Sequence, residues 1–192
     1  SNQSNNPVFE EISGLNNFTM NSGSLDLSFF TLVITGNANF NGGSITNGNI
    51  SMTGPAVFAG TTLSAGITIS STSFQFNGGT FNNAVTATFT GSSDITSSGG
   101  NTFNSTFSIT NSGSANVTLC NTNPDTYKGA VTFSNSGSGI IFPSHTASGN
   151  SYQANITFNS TSSSQGVRFG QNGGTSTLTA SNTLNIGGSG FS

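Results

Sequence analysis

The chain has 192 residues, of which 4% are charged, and a net charge of −3 with only Lys128 and Arg168 basic; an average soluble protein carries about 25% charged residues. Two cations give no electrostatic footprint for phosphate, so nucleic acid and anionic lipid are excluded as electrostatic partners. No apolar run approaches the ~20 residues of a membrane span, so no direct membrane insertion is expected, and the single Cys120 allows no disulfide framework.

Ser, Thr, Asn and Gly dominate, so solubility rests on hydroxyls and amides. The 17 Phe spread along the chain argue for order rather than disorder. At this length a compact domain buries roughly 70% of its unfolded surface. Near the N-terminus, Glu10 and Glu11 read as a solvated pair. Phe18, Phe40 and Phe58 then follow at gaps of 22 and 18 residues in GLNNFTMNSG, NANFNGG and PAVFAGTT, and read as early coils with variable corners.

From Phe81 onward the chain repeats itself. GTFNNAVTATF, NTFNSTFSITNSG, DTYKGAVTFSNSG and NSYQANITFNSTS place an aromatic at Phe81, Phe103, Tyr127 and Tyr152, with steps of 22, 24 and 25 residues. A self-similar period of 20 to 50 residues marks a solenoid or related array. Within a repeat Phe103, Ser105, Phe107 and Ile109 alternate with Thr102, Asn104, Thr106 and Ser108, a period of two that specifies strand. A second apolar run follows in each (Val117 and Leu119, Ile140 to Phe142, Val167 and Phe169), fenced by turn residues.

Two or three strands per ~23 residues make one coil of a parallel β-helix, and about eight such coils at ~4.8 Å each predict a rod of the order of 40 Å. The expected fold class is therefore all-β, with residues 1–192 forming a single β-helix domain, an internal segment or tandem repeat of a longer surface protein. Phe81, Phe103, Tyr127 and Tyr152 should form a vertical aromatic stack. Asn101, Asp125 and Asn150 should sit at the preceding corner, where Asn and Asp tolerate left-handed backbone.

The segments DTYKGAVTFSNSGSGIIF, NSYQANITFNSTSSSQGVRFG and STLTASNTLNIGGSGFS resemble the giant repetitive cell-surface adhesins of gliding and biofilm-forming Bacteroidetes, over roughly Phe76 to the end. The resemblance implies a stalk or adhesin exported by the type IX route and displayed outside the bacterial cell, some members of the family being motility adhesins. FxxN-like pieces at Phe81 to Ala84 and Phe158 to Thr161 are also similar to chlamydial polymorphic outer-membrane proteins, although the partner GGA-[ILV] motif is not found.

Chemistry is sparse. Glycoside hydrolysis needs paired carboxylates about 5 to 10 Å apart, whereas Glu10, Glu11, Asp26, Asp94 and Asp125 show no pair spaced by one coil beyond the adjacent Glu10 and Glu11. Cys120 and His145, 25 residues apart, fall near one period, but a Zn site wants four ligands. Asp125 reads as a turn residue near the surface cation Lys128, Arg168 as solvent-facing, and the glycine doublets opening at Gly42, Gly78, Gly99, Gly173 and Gly187 as corners rather than phosphate loops. No catalytic residue, metal or cofactor is expected. The sequence is that of a non-catalytic extracellular stalk or adhesin segment for attachment or gliding, partnered by neighbouring repeats or by end-to-end copies of itself. The alternative is a carbohydrate-binding adhesin whose loops around Tyr127, Lys128, His145 and Tyr152 contact surface polysaccharide. Behind it come a β-helix polysaccharide lyase or hydrolase, and an ice-binding solenoid whose nearest T-x-T pieces, Thr86 to Thr88 and Thr175 to Thr177, do not recur in every coil.

Overall fold

Phe103 and Phe107 lie on two strands rather than one, because the chain turns a corner between Thr102–Phe103 and Phe107–Asn111. The same corner divides Thr80–Phe81 from Val85–Phe89, Thr126–Tyr127 from Val131–Asn135, and Asn150–Tyr152 from Ile156–Ser160. A computed structural model describes residues 13–161 and 166–186, and there the chain winds as a parallel β-solenoid of about seven turns with ~22 residues per turn and no helix. Each strand pairs with the strand one turn later, so the hydrogen-bonded ladders run along the axis. At about 4.8 Å per turn, seven turns span roughly 35 Å.

Three faces close each turn. The first carries an inward column of Leu25, Ile45, Leu63, Phe81, Phe103, Tyr127, Tyr152 and Leu178, each paired with the next. On the second face Val85, Phe107, Val131, Ile156 and Leu184 pair in order, backed by Ala87, Ile109, Phe133, Phe158 and Ile186. The third face runs from Leu15–Met20 to Phe74–Phe76. It resumes as a separate four-stranded sheet from Ile95–Thr96 to Val167–Phe169.

The aromatic stack has the expected register. Ring centroids are 4.8 Å apart for Phe81 and Phe103, 5.0 Å for Phe103 and Tyr127, and 4.7 Å for Tyr127 and Tyr152, with interplanar angles of 10°, 5° and 4°. An earlier stack on the third face, Phe40, Phe58 and Phe76, has spacings of 4.9 and 5.3 Å. Phe76 meets Phe81 edge-on at 5.5 Å and 84°, so one aromatic column hands over to the other inside a continuous core.

Turn size is not constant. Ala38 pairs with Ala56 and Ala56 with Phe74, steps of 18 residues. Val85 to Phe107, Phe107 to Val131, Val131 to Ile156 and Ile156 to Leu184 are steps of 22, 24, 25 and 28. The corner between the first and second faces is constant over four turns, since Phe81 to Val85, Phe103 to Phe107, Tyr127 to Val131 and Tyr152 to Ile156 are all four residues, and it widens to six at Leu178 to Leu184. Up to the strand Ile156–Ser160 the extra residues enter at the other two corners, and there the widened loops leave backbone groups facing inward that require partners.

Candidate functional site

Those partners are supplied by buried Asn and Asp. Where the second face turns toward the third, Asn111 accepts from the Gly113 N–H at 3.0 Å and donates to the Ala115 carbonyl at 3.0 Å. One turn on, Asn135 donates to the carbonyls of Gly139 at 2.7 Å and Gly166 at 3.1 Å.

The corner leading from the third face back to the first holds the richest polar cluster. Asn101 Oδ1 accepts from the N–H groups of Gly78 and Gly79 at 3.0 and 2.9 Å, and its amide nitrogen donates to the Phe76 carbonyl at 3.1 Å. Asp125 Oδ1 receives the Asn101 N–H at 2.8 Å and the Asn101 side-chain amide at 2.9 Å, while its Oδ2 receives the Tyr127 hydroxyl at 3.0 Å and the Cys120 thiol at 3.1 Å. Asn150 Oδ1 accepts the Asp125 N–H at 2.9 Å, and its amide donates to Ser144 Oγ and to the carbonyls of Ala147 and Thr175. The three residues form a ladder with the step of the turns, each bonding to its equivalent above or below.

This placement corrects two expectations. Asn101, Asp125 and Asn150 are not the left-handed residues of the corner; Gly99, Gly100, Cys120 and Gly149 are, with φ of 85°, 81°, 53° and 94°. Asp125 is not a surface turn residue beside Lys128 but is 1% exposed and points into the core. Burial raises the Asp125 carboxyl above its ordinary range against the opposing pull of its donors. Burial, with the charge of Asp125 added, likewise pushes the Cys120 thiol and the Tyr127 hydroxyl well up, and burial does the same to Tyr152. The Tyr152 hydroxyl has no partner among the described residues.

Of the four expected glycan contacts, Tyr127 and Tyr152 are corrected outright, because at 0% and 1% exposure their rings are core and cannot reach a ligand. Lys128 is exposed. His145 is half-buried: its Nδ1 lies 3.0 Å from Asn121 Oδ1 and 2.9 Å from Thr146 Oγ1, and its Nε2 lies 3.0 Å from the Asn172 amide. Cys120 and His145 do not converge, since the Ala147 N–H rather than His145 meets the Cys120 carbonyl and the thiol turns inward to Asp125. Arg168 is exposed, as expected. Glu10, Glu11 and Gly187 lie outside the described residues.

Asp26 is held by the Ser28 N–H and the Asn47 amide, and Asp94 by the N–H and amide of Asn116. Among the described residues no three His, Cys, Asp or Glu side chains group as metal ligands would. The buried network was missed in the sequence, although Asn101, Asp125 and Asn150 each stand two residues before the aromatic of the repeat. Comparison with protein-family models, curated proteins and solved structures finds no match.

Proposed function

We propose that this chain is a non-catalytic stalk or adhesin segment of an extracellular bacterial surface protein, serving attachment or gliding. The observation that carries the reading is the uninterrupted stack. Every described turn is hydrogen-bonded to the next around one continuous core, so the element sets a distance and presents a long polar surface. In such arrays stability is approximately a sum of nearest-neighbour interfaces. The resemblance of the repeats to giant bacterial surface adhesins supports the location, and the hydroxyl- and amide-rich, charge-poor composition suits it.

Apolar surface is open at both ends of the described solenoid. Leu15, Phe18 and Leu25 contribute it at one end, and Phe158, Leu178 and Leu184 surround a hollow of about 320 Å³ at the other. Neighbouring repeats of the same protein are the partners that suit such ends, because they continue the ladders; end-to-end copies of the chain are the second choice, since a narrow turn must then meet a wide one. Cells whose copy of the gene is deleted should lose surface attachment or gliding, with recovery on re-expression; unchanged attachment and motility would sink the reading. Turnover of any polysaccharide by the purified chain would overturn its non-catalytic half. A glycan array separates the carbohydrate-binding alternative, in which hits should disappear on Lys128→Ala or His145→Ala, the two expected contacts that reach the surface.

A further inference from the structure

We propose that the second face of the solenoid binds the ordered water lattice of an ice surface. Its outward positions form two columns of hydroxyls. Thr68, Thr86, Ser108, Thr132 and Thr157 pair in order as one column. Two residues further along each strand, Ser70, Thr88, Thr110 and Ser134 form the second column, which ends at Asn159. The sequence shows a T-x-T only at Thr86 to Thr88 within this face, because Ser replaces Thr at one position in three of the other strands and Asn159 stands in the fourth; the strand register brings the remaining hydroxyls into the same lattice.

Three properties point to an ordered rather than a liquid partner. The pairings that build the array carry no bulge, so its repeat is fixed in two directions at about 4.8 Å along the axis and roughly 6.6 Å along the strand, close to the oxygen repeats of hexagonal ice. None of the nine hydroxyls bonds to another protein group among the described residues, and no charged side chain stands in either column. Behind them the core residues Ile69, Ala87, Ile109, Phe133 and Phe158 are packed, and the β-branched Thr side chains have few χ1 choices, so the array is held before it meets a ligand.

The first face supplies an internal contrast. It has one hydroxyl column, including Thr80, Thr102 and Thr126, but the adjacent column is Asn82, Asn104 and Lys128. There Asn104 donates to Asn82 and Asn82 to Ser64, so amide groups are spent on one another and a cation interrupts the pattern. A crystalline polysaccharide fits the second face less well, because no aromatic ring stands in its two columns to stack on a sugar.

The test grows single ice crystals and polycrystalline ice in a solution of the 192-residue chain and measures freezing hysteresis and retention of protein in the ice. Wild type should be retained and should arrest crystal growth. Thr132→Tyr and Thr86→Tyr, each lifting one point out of the plane, should lose both effects with circular dichroism unchanged. Thr102→Tyr on the first face should keep them. The proposal is overturned if wild type is excluded from ice like an inert protein of its size, if the first-face variant loses the effects as completely as the others, or if neither second-face variant loses them. It is also overturned if the chain binds crystalline cellulose or chitin and not ice. Two second-face variants are used so that a folding defect in one leaves the other decisive, and none of these outcomes bears on attachment or gliding.

Discussion

Asp125 shows how much a single side chain can carry in a charge-poor chain. Four donors converge on its two oxygens inside the core. Removing the carboxyl by Asp125→Ala leaves those donors unpaired in low dielectric, and unfolding in urea should report a loss on the order of 3 kcal/mol, built from penalties of roughly 1–3 kcal/mol per orphaned group that partial rearrangement softens. The two tyrosines should part company. Tyr127→Phe removes one donor from Asp125 and should lower stability by about 1–2 kcal/mol. Tyr152→Phe removes a buried hydroxyl that has no partner among the described residues, and should be neutral or stabilising. The pH dependence follows from burial, which makes the folded chain hold the Asp125 proton more tightly than the unfolded chain does. That contribution is fully present below the ordinary carboxyl range and is lost as the pH climbs through the raised value. Calorimetry between about pH 4 and pH 7 should therefore find wild type gaining on Asp125→Asn as the solution is acidified.

Strands and corners obey different constraints. Phe107 is 1% exposed and touches Phe76, Phe103, Tyr127 and Phe133, so Phe107→Ala should lower stability by about 3–5 kcal/mol. Thr132→Ala on the outer face should change it far less. At a tight corner the limit is space rather than burial: a Cβ on Gly139 would lie 1.9 Å from the Ala115 carbonyl of the turn below, and Gly139→Ala should cost about 1–3 kcal/mol in thermal or urea melts. The strands were legible in the sequence because the four-residue corner is constant from Phe81 to Ile156, which keeps Phe81, Phe103, Tyr127 and Tyr152 in phase with the apolar pairs that follow. The widening corners were not, since an Asn beside a turn has the same letter whether it caps a loop toward solvent or closes a buried ladder. Tyr127 and Tyr152 misled for a related reason. A phenol suits a glycan surface and a core equally, and only the stack above and below decides between them.

At the scale of the whole rod, repetition makes length divisible. The narrow turns advance by 18 residues, so deleting residues 59–76 joins Phe58 to Asn77 in the same register and should leave a cooperative solenoid one turn shorter, with a modest fall in melting temperature. The ladders have a mechanical consequence as well. Because the bonds between turns lie parallel to the axis, a pull on the two ends loads them in series, and the rod should yield one turn at a time instead of shearing as a unit. Each event frees a turn of 18 to 28 residues, or roughly 60–90 Å of slack at full extension. Between Phe74–Phe76 and Ile95–Thr96 the strand pairing is interrupted, and bonds from the Phe76 N–H to Ser97 Oγ and from the Gly99 N–H to the Phe76 carbonyl join the two turns there. A tether built this way limits the peak force on whatever it holds, paying out line while most of its turns stay wound.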